Sequence, residues 1–156
     1  MSDVIIPDNV GYVIARRAWR FATNGYLHGY NSHCIWTPVY KNIARCFRSD
    51  FHTKQPCVCA PMLNCKCGFY GFKKIVGQIL RSQDKICYVI GDVALWWHVI
   101  EHTIGYRAQY AYPINVEIRS SIQNHEEYAE RISELYRIPY RVVSDEKSSD
   151  SFELII

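Results

Sequence analysis

Six residues in one stretch of the chain carry side chains that ligate metal ions: Cys46, His52, Cys57, Cys59, Cys65 and Cys67. Thiolate and imidazole are the usual zinc ligands, and four of them close a tetrahedral site. Two quartets are open. Cys57, Cys59, Cys65 and Cys67 would set two C-x-C pairs against each other. Cys46, His52, Cys65 and Cys67 would close a C-x5-H pair on a C-x-C pair. In extended backbone, residues i and i+2 point the same way, so each C-x-C offers both sulfurs to one ion. Four thiolates would also suit an iron–sulfur cluster. The remaining thiols, Cys34 and Cys87, lie in strand-like runs and read as core.

Other residues can also do chemistry. His98-Val99-Ile100-Glu101-His102 spells H-x-x-E-H, as in one class of zinc peptidase. That chemistry needs a helix, whereas a strand would hold the two histidines about 13 Å apart. Glu101, His102, Tyr106 and Arg107 flank Gly105, where acid, imidazole, phenol and guanidinium can bind an anion or exchange protons. The plainer reading is a hairpin whose turn charges pair. Arg16, Arg17, Trp19 and Arg20, with Lys41, Arg45 and Arg48, mix basic and aromatic groups as nucleic-acid binders do. Strand alternation divides them between two faces, which weakens that patch.

The elements that must position these groups follow from periodicity. Tyr12–Phe21 and Tyr26–Tyr30 are β-rich and flank Asn24-Gly25, a strong hairpin signal. A third extended piece is expected near Ile35–Tyr40, irregular at Pro38. From Ala44 to Gly68 the pattern breaks for about 25 residues, long for a loop unless a metal orders it. Phe72, Ile75, Val76, Ile79 and Leu80 have the spacing of an amphipathic helix over 72–81. Ile86–Ile90 reads as a buried strand. Asp92–His102 can be strand or helix, and its Val, Ile and Trp favour strand. Arg107–Tyr112, Ile114–Ile118 and Tyr140–Val143 continue as strands. Asn124–Tyr136 is the clearest helix, with Asn124 as cap, Glu127 in the capping-box position, and Tyr128, Ile132, Leu135 and Tyr136 as its buried stripe.

The chain has 156 residues, 49% hydrophobic and 21% charged, which suits one globular domain over 1–143 with the loop at about 44–68. Residues 144–156 form a polar segment and an apolar end. A net charge of +3 is too mild to require nucleic acid. No secretory signal and no membrane-spanning run is visible, so a reducing cytoplasm is expected.

Cys65-Lys66-Cys67-Gly68-Phe69-Tyr70, then Gly91-Asp92-Val93-Ala94-Leu95-Trp96, Glu101-His102 and Gly105-Tyr106-Arg107-Ala108 together resemble a family of small uncharacterised bacterial and phage proteins. Those carry C-x-C-G-I-Y-A and G-E-V-x-L-W-G-x-V-x-E-H-x-x-G-Y-R-A segments. The resemblance spans about Cys46–Pro113 and implies the ligand set Cys46, His52, Cys65 and Cys67. It implies a bacterial or phage source, hence the cytoplasm of a bacterium or infected cell, and carries no mechanism.

The expected fold is α+β: a bent antiparallel sheet with two packed helices and a zinc-ordered Cys-rich loop. The expected function is a binding module with structural zinc that occupies a protein partner; were the source a phage, a small inhibitor of a host system. Nucleic-acid or nucleotide binding is one alternative. An enzyme with acid–base groups at Glu101 and His102 is another, and the sequence leans against it.

Overall fold

Val89, Gly91, Val93 and Leu95 are buried while the residues between them stay partly exposed. This period of two is that of a strand with one face on a core. It resolves the ambiguous stretch: Tyr88–Glu101 is one long strand, β6. The computed structural model describes residues 4–6, 11–30, 34–46, 60–74 and 88–144. Around β6 stand β1 (Val4–Ile6), β2 (Tyr12–Phe21), β3 (Leu27–Gly29), β4 (Asn42–Ile43), β5 (Phe69–Phe72), β7 (Gly105–Pro113), β8 (Val116–Arg119) and β9 (Tyr140–Val143), with helix α1 at His125–Tyr136.

Four strands close on themselves. β2 pairs with β6, β6 with β7 and β7 with β5, and β5 returns to β2 through Arg16 opposite Phe72. The result is a small antiparallel barrel extended by outer strands; β8 and β9 pair in parallel. So narrow a ring admits only small residues at its tightest points. A Cβ on Gly71 would lie 2.6 Å from the Cβ of Ala15, and one on Gly105 would lie 2.2 Å from the carbonyl oxygen of Gly71. The barrel interior runs into a second layer where α1 buries Ala129, Ile132 and Tyr136. Tyr136 ties this layer together. Its hydroxyl accepts from Leu27 N (2.9 Å) and donates to Trp36 O (2.5 Å). Trp36 meets Trp19 edge-on at 5.5 Å and Phe69 at 4.9 Å.

The expectation of an α+β fold with two packed helices is corrected here. The described residues form a mostly antiparallel β structure with one helix. Phe72, where the first helix was expected to begin, ends β5 between Arg16 and Gly105. Cross-strand pairing overrides the helical spacing there; residues 75–81 lie outside the described residues. The chain at 35–40 contributes one bridge, Ile35 to His28, rather than a strand. The Asn24-Gly25 hairpin forms, with Gly25 at φ 88. Asn124 precedes α1 in left-handed conformation (φ 59) and makes no side-chain cap. Among the described residues no helix is long and apolar enough to cross a membrane.

Candidate metal centre

Two segments converge on the thiols. Residues 44–46 leave β4 anchored to β7 by Ala44 N to Gln109 O (2.7 Å). The segment carrying Cys65 and Cys67 turns at Met62, whose carbonyl accepts from Cys65 N (3.1 Å), and enters β5 after Gly68 at φ 115. The ligand atoms of Cys46, Cys65 and Cys67 all lie within 4.8 Å of one another. The Cys46 and Cys65 sulfurs are 3.7 Å apart. Two sulfurs about 2.3 Å from one tetrahedral zinc stand about 3.8 Å apart, so the spacing suits a shared ion. It is far beyond a disulfide's length of about 2.05 Å. Three soft donors are thus assembled, compatible with zinc. His52, Cys57 and Cys59 lie outside the described residues. Cys34, expected in the core, is exposed, because the run around it leaves the sheet after one bridge.

Arg107 holds this loop in place. It is 2% exposed and pairs on β7 with Tyr70 of β5. One guanidinium nitrogen donates to the carbonyls of Cys65 and Cys67, the latter at 3.0 Å. The other donates to Met62 O at 3.3 Å, and Nε donates to His102 Nε2 at 2.7 Å. The planar fork of an arginine suits such multiple acceptors. A zinc bound by three thiolates and a neutral fourth ligand would carry net −1, and Arg107 places its positive charge against the carbonyls of two of the three cysteines. Burial pushes the nearby Tyr70 hydroxyl up, with Arg107 pulling the other way.

The four residues expected to converge at Gly105 form two clusters. Glu101 and Tyr106 pair across β6 and β7. Lys73 Nζ lies 2.7 Å from Glu101 Oε1 and 5.4 Å above the Tyr106 ring. Arg107 turns instead to the carbonyls of the cysteine loop and to His102 Nε2. His98 and Glu101 lie in strand β6, so the peptidase spelling lacks its helix. The basic run is also divided. Arg16 pairs with Asp92 (3.0 Å) and Glu117 (3.1 Å), whereas Arg17 turns to Tyr70 O and the Trp36 ring. Arg48 lies outside the described residues.

Sequence reasoning missed that Arg107 holds the cysteine loop. The signal lay in the company it keeps: the C-x-C-G-F-Y and G-Y-R-A segments are β5 with its lead-in and β7, which pair directly. No family model matches the chain, and neither a curated protein nor a solved structure is similar to it.

Proposed function

We propose that this protein is a small zinc-stabilised binding module that acts by occupying a protein partner. The zinc is structural, held by Cys46, Cys65 and Cys67 with His52 as fourth ligand. A closed site of this kind contributes folding free energy and leaves no position for substrate. Its contribution here is to fix the segment before β5 against β7.

The observation that carries the partner reading is an apolar row across the sheet. Tyr12 pairs with Trp96, Trp96 with Tyr110, and Tyr110 with Ile43, so four strands present these side chains on one face. Tyr12 is 64% exposed, Ile43 53% and the adjacent Trp97 51%. The Trp96 and Trp97 rings lie 5.9 and 6.0 Å from that of Tyr110, and Lys41 Nζ sits 4.2 Å over it. Contiguous exposed aromatics rimmed by polar groups are typical of interaction sites, where Tyr and Trp anchor most of the affinity. Trp97 holds a left-handed backbone (φ 72) at the bulge where the β6–β7 register shifts. Bulges re-aim side chains and recur beside functional sites.

The test is a photo-crosslinking residue in place of Trp97, activated in living bacterial cells. One discrete protein adduct is expected, and it should vanish when Tyr12→Asp and Ile43→Asp are added. Adducts spread over many proteins, or unchanged by those substitutions, would count against the reading.

A further inference from the structure

Beside the cysteine cluster the fold leaves a cavity of about 1190 Å³. Cys46, Cys65 and Cys67 form part of its wall. Four cations also line it, Arg17, Lys41, Arg45 and Lys66, and among the described lining residues there is no carboxylate. Much of the remaining wall is apolar, and the aromatic residues Tyr70 and Phe72 are part of it.

Arg17 is the informative member. Its Nη1 donates to Tyr70 O and its guanidinium carbon lies 4.8 Å over the Trp36 ring. Its Nε is fully buried and has no hydrogen-bond partner among the described residues. Burial lowers this guanidinium to about 10, with the Cys34 thiol opposing the shift, so it is still cationic at neutral pH. The side chain as a whole is half-buried and cationic, and a buried N–H without an acceptor is costly unless a ligand atom or water completes it.

We propose that this cavity binds a nucleoside phosphate, with the phosphate at Arg17, Arg45 and Lys66 and the base against Tyr70 and Phe72. Four cations with no carboxylate among the described lining residues favour an anion of more than one charge, a phosphate over a single carboxylate. The volume favours an anion with a large flat body, since drug-sized ligands fill about 300–1000 Å³ and free phosphate would leave most of the space empty. Aromatic faces accept any base, so sequence-tolerant stacking is expected. The site goes beyond the partner-occupying reading and shares with it the metal-ordered loop.

The experiment is calorimetric titration of the full zinc-loaded chain with AMP, GMP, CMP and UMP, then with the matching nucleosides and inorganic phosphate. At least one nucleotide should bind saturably at one site, with its nucleoside and inorganic phosphate about tenfold weaker or more. Arg17→Met should weaken the nucleotide at least about tenfold, and Arg45→Gln, an exposed position that leaves the fold intact, several-fold. No binding of any nucleotide overturns the proposal, as does equal affinity for nucleoside or inorganic phosphate, or full affinity in both variants. Metal content read on the same samples separates the two accounts. Zinc-loaded protein that binds no nucleotide overturns the ligand site alone, and zinc-free protein that binds nucleotide overturns the metal reading alone.

Discussion

Arg107→Met removes the buried guanidinium while keeping most of the side chain's length. The carbonyls of Met62, Cys65 and Cys67 and the Nε2 of His102 all lose this donor. An acceptor left unpaired in the interior costs about 1–3 kcal/mol. Met62 is exposed and the two cysteines are half-buried, so water can replace part of what is lost. The expected destabilisation is therefore about 3 kcal/mol rather than the sum of all four bonds. Loss of a group that orients metal ligands typically weakens metal binding by about 10–100-fold. Because binding and folding of such a loop are linked, the two effects should move together. The assay is competition for zinc with a chromophoric chelator, alongside urea unfolding of the same preparation. Arg107→Lys keeps the charge without the fork and should recover little of either quantity. Zinc affinity within twofold of the wild type in Arg107→Met, with an unchanged urea midpoint, would refute the reasoning.

Tyr136→Phe leaves Leu27 N without its acceptor in the core and should cost about 1–3 kcal/mol by urea unfolding; a neutral result would contradict the buried hydroxyl link. Gly71→Ala forces a methyl into the space of Ala15 and Leu95 and should destabilise by about 1–3 kcal/mol, and equal thermal stability would count against the tight barrel. Burial pushes the Asp92 carboxyl up, but hydrogen bonds from Asn115 and Arg16 and the Arg16 charge outweigh it and hold it below its ordinary value. Its contribution is then present above the unfolded carboxyl's pKa of about 3.9 and lost as pH falls through the lower folded value. Asp92→Asn should flatten that acid arm of a stability–pH profile, and an unchanged slope would contradict the assignment.

Local pattern carried much of the fold. The Asn24-Gly25 hairpin, the helix over 125–136 and β9 at Tyr140–Val143 are readable from turn chemistry and residue pattern, whereas β6 reads as two pieces divided at Gly91, the second open between strand and helix, and the structure joins them into one strand. The closure of the ring is not, because Arg16 meets Phe72 across more than fifty residues and no local signal encodes that pairing. Phe72 therefore looked like a helix start. Asn124 does stand at the N-cap, its carbonyl accepting from Tyr128 N, but its backbone is left-handed and its side chain makes no capping bond, which no local pattern encodes. At the site, the i, i+2 spacing of Cys65 and Cys67 points to shared ligation while residue spacing leaves two quartets open; the resemblance implies the set with Cys46, and the sulfurs of Cys46, Cys65 and Cys67 do meet. The burial of Arg107 was illegible. A charged residue next to a turn normally faces water, and only the loop folding back over β7 supplies the carbonyls that satisfy it.

Elemental mass spectrometry on protein purified without a metal-chelating tag, for the wild type and for Cys65→Ser, tests the central claim most directly. The account expects about one zinc per wild-type chain and a large loss of metal in Cys65→Ser, whose oxygen replaces one of the clustered sulfurs. Wild-type protein without stoichiometric metal, or a Cys65→Ser variant that keeps its full complement, would contradict it.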